Sequence, residues 1–136
     1  MAHDHEIYMI LADTAVELRD AEALRKYAPH LEKLASRDNH RLYLAIAHRA
    51  LGVGHRLSGE HAPAETRLRQ ALELFTKLGA RWQIGRTLFE LGELNRKQSH
   101  KETKAREYFA QALGSFEEIQ ATPDVERTRA ALNSLQ

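Results

Sequence analysis

The chain repeats one stretch of its own sequence. Residues 51–75 read LGVGHRLSGEHAPAETRLRQALELF, and residues 91–116 read LGELNRKQSHKETKAREYFAQALGSF. A shift of 40 residues places Leu51-Gly52 on Leu91-Gly92, and a shift of 41 residues aligns five further positions. Those positions are Ala64, Leu68, Ala71, Leu72 and Phe75 in the first copy and Ala105, Phe109, Ala112, Leu113 and Phe116 in the second. One extra loop residue before Ala105 explains the difference between the two shifts.

A weaker copy precedes these two, with Leu11-Ala12 followed by Ala23, Tyr27, Leu31 and Leu34. Apolar residues recur at steps of three and four throughout, and good helix formers dominate the chain, so the sequence predicts helices and no strand. Turn signals divide the helices at Arg37-Asp38-Asn39, Ser58-Gly59, Gly79 and Ser99-His100. The predicted helices cover residues 4–18, 21–36, 40–57, 62–78, 81–97, 102–119 and 124–134.

A pair of helices repeated at a fixed period is the signature of a solenoid, in which each pair buries its apolar face on its neighbours. We therefore expect an all-α chain with a single domain over residues 1–136. Its three antiparallel hairpins would span residues 4–36, 40–78 and 81–119, and a helix at 124–134 would cap the stack. Thr122 is the expected N-cap of that last helix, with Pro123 at its first position.

Two glycines recur at the same phase of the repeat, Gly52 and Gly92. Glycine inside a helix costs up to about 1 kcal/mol relative to alanine. Its return at equivalent positions therefore predicts that two helices of a hairpin approach closely there.

At these positions the chain resembles the tetratricopeptide repeat (TPR) family. The first helix of that repeat carries a large residue, then Leu-Gly, then another large residue. The second helix carries Ala, a large residue and a second Ala. The two copies read His48, Leu51, Gly52, His55, Ala64, Leu68 and Ala71, and then Leu88, Leu91, Gly92, Asn95, Ala105, Phe109 and Ala112. The period of about 40 departs from the family's about 34. It is similar to the longer, divergent repeats of large bacterial signalling proteins and transcription activators.

The resemblance implies a right-handed superhelix in which the first helix of each hairpin lines a concave groove. That groove would bind a peptide or helix of a partner protein, in bacterial signalling or regulation. The implied groove residues are Ile46, Arg49, Val53 and Arg56 on one helix and Trp82, Arg86, Phe89, Glu93 and Arg96 on the next. The first hairpin would add Glu6, Met9, Asp13 and Val16.

This mixture of arginines and aromatic residues indicates an acidic, partly hydrophobic partner protein or peptide, because Arg pairs with carboxylates and Trp is enriched among binding hot spots. The hypothesis predicts that Arg49→Glu with Arg86→Glu weakens binding and leaves the fold intact. The alternative function is a spacer or dimerisation segment of a larger signalling protein, without a ligand of its own. A homodimer is compatible with either function.

The composition argues against several other classes of function. A net charge of +1 gives no bulk basic signal for nucleic acid, and no apolar run is long enough for a membrane span. The chain has no cysteine, which fits a reducing, cytoplasmic setting. Phosphate-loop, zinc-helix and nucleophile-elbow motifs are missing, so we expect neither an enzyme nor a cofactor.

Eight histidines raise the question of a metal site. We expect no metal site, because zinc normally requires three or four convergent ligands and the spacings do not supply such a set. His3 and His5 lie near a terminus that we expect to fray. His48 and His55 occupy packing positions of the repeat, which predicts partly buried structural side chains.

Overall fold

A computed structural model describes residues 2–135, with side chains from Asp4 onward. Within that range the chain is all-helical, with 85% of residues in helices and no strand, which confirms the predicted fold class. The helices are α1 Ala2–Leu18, α2 Ala21–Arg37, α3 Arg41–Leu57, α4 His61–Leu78, α5 Arg81–Arg96, α6 Glu102–Glu118 and α7 Thr122–Asn133. The packing of adjacent helices is consistent with a helical repeat solenoid. Each helix boundary lies within two residues of its prediction. No described helix is both long and apolar enough to cross a bilayer.

The turns follow a regular spacing. Among the described residues, positive φ angles occur at Arg19, Asn39, Gly59, Gly79, His100 and Gln120, which are 20 or 21 residues apart. At Gly59 and Gly79 the missing Cβ removes the steric cost of this left-handed conformation. The next amide then donates to the carbonyl five residues back, as Ala80 does to Phe75 at 3.0 Å, in the closing bond of a Schellman turn. The single long step, from Gly79 to His100, contains the extra loop residue inferred from the sequence.

The chain divides into two compact units, and the division falls within α4, after Leu74. In the first unit α1 packs against α2 and α3, and α2 packs against α3. The Asp20 side chain accepts a hydrogen bond from the amide of Ala23 at 3.1 Å, and this contact caps α2. Gly52 lies against Leu68, whose Cγ would be only 2.7 Å from an added Cβ.

The second unit, from Phe75 onward, packs α5 on α6 and α6 on α7. Gly85 and Gly92 on α5 face Phe116 and Phe109 on α6, and a Cβ at either glycine would lie 2.6 Å from the nearest ring atom. The close approach predicted from Gly52 and Gly92 is therefore confirmed. Gly85 supplies a further contact of the same kind.

The last helix, α7, belongs to the second unit. It begins at Thr122, so Ala121 is its N-cap residue and no side chain caps it. The prediction that Thr122 is the N-cap was wrong, because the chain leaves α6 through left-handed Gln120 and enters the helix directly after Ala121. Pro123 does lie in the first turn, and Thr128 and Ala131 are buried on the side of α7 away from solvent.

Candidate partner-binding site

The predicted groove residues of α3 are mostly buried. Ile46, Arg49 and Val53 are 3%, 0% and 0% exposed, and Arg56 is partly buried. The Arg49 guanidinium donates from Nη2 to Oδ1 of Asp13 on α1 at 3.1 Å. Both residues were predicted for the same face, and the structure brings them together as an ion pair between α1 and α3. Arg49 therefore holds two helices together and is not a surface cation.

This burial changes the expected effect of the double charge reversal. Arg49 is fully buried and Arg86 is 4% exposed. A carboxylate in place of Arg49 would face Asp13, and a buried pair of like charges is strongly destabilising. The burial of both arginines argues against the expectation that Arg49→Glu with Arg86→Glu leaves the fold intact. Surface variants are needed to probe binding.

On α5, Trp82 is the predicted groove residue that remains accessible, with 47% of its surface exposed. Its indole Nε1 donates to Oδ2 of Asp124 on α7 at 3.0 Å. The guanidinium of Arg86 lies over its ring, 4.7 Å from the centroid, and Nη1 of Arg86 donates to Gln83 at 3.1 Å. An exposed indole is thus fixed on both its edge and its face.

Phe89 lies two helical turns after Trp82 on α5, and it is only 4% exposed. The guanidinium of Arg127 lies over its ring at 4.5 Å, and the ring of Phe109 meets it edge-on at 5.2 Å. Arg127 also donates to Oδ1 of Asp124 at 3.3 Å. Asp124 therefore accepts from both Trp82 and Arg127, and it links the two aromatic positions of α5 through α7.

The remaining predicted residues of α5 are tied to their surroundings as well. Arg96 donates to Glu93 at 2.9 Å, and their side chains are 21% and 16% exposed. Arg96 also donates to the hydroxyl of Ser134 and to the carbonyl of Ala131, the latter at 3.4 Å. Side chains of α5 and α7 thus meet along most of the predicted stripe, and Trp82 is the part left open.

Sequence reasoning assigned α7 a capping role and missed Asp124, Arg127 and Ser134. A signal for two of them was present. The 41-residue shift that aligns α4 with α6 also carries Arg86 onto Arg127 and Glu93 onto Ser134. Treating α7 as a further first helix of the repeat would have placed these side chains beside α5.

Two of the histidines considered for a metal site, His5 and His48, have structural partners. His5 is 5% exposed and makes contacts of 3.1 Å to the carbonyl of Leu34 and 3.0 Å to Asp38, so the expectation that it frays was wrong. The side chain of His3 lies outside the described residues. No group of three or more His, Cys, Asp or Glu side chains among the described residues is placed to hold a metal ion.

His48 is 9% exposed, and its Nδ1 accepts a hydrogen bond from Arg67 at 2.9 Å. Arg67 Nη1 also donates to Oε2 of Glu32. Burial lowers the pKa of His48, the charge of Arg67 lowers it further, and Glu32 opposes this. His48 is therefore held neutral, with its Nδ1 lone pair directed at Arg67.

The first unit contains an open cavity of about 380 Å3 between α2 and α3. Apolar residues form most of its wall, including Leu24, Pro29 and Leu51. Its polar lining residues are Arg25, His55, Ser58 and Glu60, and His55 Nδ1 lies 3.0 Å from Oε1 of Glu60.

The clearest candidate for a recognition surface is therefore the exposed face around Trp82, formed by α5 and α7. It offers an aromatic ring, two neighbouring guanidinium groups and one carboxylate that is already engaged. No family model matches the chain, and no curated protein matches it significantly.

Proposed function

We propose that this chain is a non-enzymatic protein-interaction module of the tetratricopeptide type. In this proposal the surface around Trp82, Arg86 and Arg127 binds an acidic, partly hydrophobic peptide or helix of a partner protein. The observation that carries the proposal is the half-exposed indole of Trp82, held in place by Asp124 and Arg86.

A fixed, exposed tryptophan is well suited to binding. Most large aromatic side chains are highly buried in folded proteins, so 47% exposure leaves apolar area that a partner can cover. The contacts with Asp124 and Arg86 already restrict the ring, so binding costs little additional side-chain entropy. Tryptophan is also among the residues most often found as interface hot spots.

The charges beside the indole favour an acidic ligand. The side chain of Arg127 is 40% exposed, and Arg86 lies against the ring itself. Guanidinium groups donate paired hydrogen bonds to carboxylates, and complementary charge raises association rates and specificity. A peptide with Glu or Asp around an apolar residue would place its carboxylates near Arg127 and its apolar side chain on Trp82.

The wider biological setting belongs to the same proposal. A role in bacterial signalling or regulation and a cytoplasmic location are supported by the resemblance to long-period tetratricopeptide repeats in signalling proteins. The absence of cysteine fits the same compartment.

Trp82 is the single tryptophan of the chain, so its emission reports this surface directly. The probe is a synthetic amphipathic helix of Leu and Glu, with a Leu and Lys peptide of the same pattern as the comparison. The Leu and Glu peptide should shift Trp82 emission to shorter wavelength as it excludes water from the ring. The peptide with Lys should leave the emission unchanged.

Two arginines of α7 provide a matched pair of variants. Arg127→Glu should weaken binding of the acidic peptide by about tenfold, through loss of attraction and new repulsion. Arg129→Glu makes the same charge change at a site that pairs with Glu117, and it should leave affinity within about twofold. Anisotropy of a labelled peptide measures both. An equal shift of Trp82 emission with both peptides, or no shift with either, would reject the proposal and favour the spacer function.

A further inference from the structure

The outward face of α1 carries an exposed apolar stripe. Ile7, Ile10 and Leu18 are 54%, 52% and 70% exposed, and exposed Thr14 lies between them. Their spacing of three, four and four residues places all four side chains along one side of the helix. An exposed apolar stripe of this kind is typical of an interaction surface.

The last helix shows that this exposure is not a general property of the protein. On α7 the exposed positions hold polar or small residues: Thr122, Pro123, Glu126, Arg127, Arg129, Ala130 and Asn133. Exposed large apolar side chains are therefore a feature of α1 and not of α7.

The stripe has an acidic border. Glu6, Asp13 and Glu17 follow one another along the same edge of α1, and no Lys or Arg occurs between Ala2 and Leu18. Between this border and the stripe lies an open depression of about 340 Å3, lined by Met9, Ile10, Asp13, Thr14, Glu17 and Leu18. Apolar and acidic groups therefore lie side by side along the helix.

We propose that this face of α1 binds a basic amphipathic helix of a partner protein. The apolar side chains of that helix would cover Ile7, Ile10 and Leu18, with one of them in the depression beside Ile10. Its Lys or Arg side chains would lie along this border, chiefly at Glu6 and Glu17, because the carboxylate of Asp13 already pairs with Arg49. Charge complementarity of this kind sets the orientation and the choice of partner.

The acidic border also argues against a second copy of the chain as the occupant. A symmetric dimer through α1 would bring the two borders of Glu6 and Glu17 close together, and juxtaposed like charges are costly at an interface. The proposed occupant is opposite in charge to the ligand of the Trp82 surface. The two proposals therefore concern separate faces and can fail separately.

The probe is the Leu and Lys amphipathic peptide, with the Leu and Glu peptide as its comparison. Calorimetry on the full chain should show one Leu and Lys peptide bound per protein, and higher salt should weaken binding. Ile10→Ser should reduce affinity by about tenfold because it removes apolar contact at the centre of the stripe. Leu78→Ser, at an apolar residue of α4 that is 43% exposed, is the matched control and should leave affinity unchanged.

A second pair of variants tests the acidic border. Glu6→Lys with Glu17→Lys should reduce affinity by about tenfold or more. Glu107→Lys with Glu118→Lys changes the net charge equally at exposed sites of α6 and should have little effect. Trp82 emission should stay constant throughout, which separates this surface from the one proposed above.

Three results would overturn the inference. The first is binding of the Leu and Lys peptide that Ile10→Ser and the charge reversal leave unchanged, and the second is no binding at all. The third is a concentration-dependent dimer in sedimentation that Ile10→Ser abolishes, since a second copy would then cover the stripe.

Discussion

The contact between Gly92 and Phe109 gives the sharpest test of the packing. In Gly92→Ala the new Cβ would lie 2.6, 2.7 and 2.8 Å from three atoms of the Phe109 ring, whereas ordinary contacts are 3.4–4 Å. The ring would have to retreat by most of an ångström. It has no room to do so, because Phe109 is 0% exposed and packs edge-on against Phe89.

Gly114→Ala is the matched control. Gly114 lies in α6, four residues before the end of its helix, as Gly92 does in α5, and an added Cβ there meets nothing within 4 Å. Both variants gain about 1 kcal/mol of helix propensity. The difference in their unfolding free energies therefore isolates the steric cost, for which overpacking of cores suggests about 1–3 kcal/mol.

Urea titrations followed by Trp82 fluorescence measure this difference, because Trp82 and both glycines lie in the same unit. We expect Gly114→Ala to be more stable than the parent protein and Gly92→Ala to be less stable than Gly114→Ala by that margin. The penalty should shrink in a Phe109→Leu background, since a leucine can change rotamer where a ring cannot. If Gly92→Ala stabilises as much as Gly114→Ala, the close approach of α5 and α6 is wrong.

Two further predictions concern buried polar groups. Burial lowers the pKa of His48 in the folded state, so on acidification the unfolded state binds a proton more readily than the folded state does. The free energy of unfolding is therefore retained above the unfolded pKa of about 6.5 and decreases as the pH falls below it. The loss between pH 7.5 and pH 5.5, measured by urea titration, should be smaller in His48→Gln, and an equal loss would show that other groups govern this pH range. Asn95 is 0% exposed, and its Oδ1 has no hydrogen-bond partner among the described residues, while Nδ2 donates to the carbonyl of Leu91 at 2.7 Å. Asn95→Leu keeps the branched shape and removes an unsatisfied acceptor, so it should raise the unfolding free energy by about 1 kcal/mol. An unfolding free energy below that of the parent protein would mean that Oδ1 is satisfied in solution.

Helix positions were predictable because local chemistry decides them. Gly59 and Gly79 end helices through the left-handed conformation that glycine adopts without strain, and both were identified as breaks. The pairing of Gly92 with Phe109 was implied by the recurrence of glycine at one phase. Arg19 and Gln120 adopt the same conformation without a glycine, and no break was identified at either residue from the sequence.

The candidate site was harder to predict for a geometric reason. Helical periodicity places Ile46, Arg49 and Val53 on one side of α3, but it does not say whether solvent or a neighbouring helix lies there. An arginine on such a face was interpreted as a ligand-binding cation. The position of Asp13 on α1 instead makes Arg49 a buried partner. Only the three-dimensional arrangement distinguishes these outcomes.

In each unit, polar side chains connect two helices that are not partners in a hairpin. In the first unit a charge on α3 meets a charge on α1, and in the second Arg127 and Asp124 on α7 meet the aromatic residues of α5. In both cases polar side chains join the first helix of one hairpin to the next. Their long stems and directional hydrogen bonds bridge helices that are not hairpin partners. Trp82 takes part in this bridging through its N–H and still leaves much of its ring exposed. A side chain that is anchored yet half uncovered combines a low ordering cost with apolar area to bury, and for that reason we propose partner recognition at this position and not at the arginines of α3.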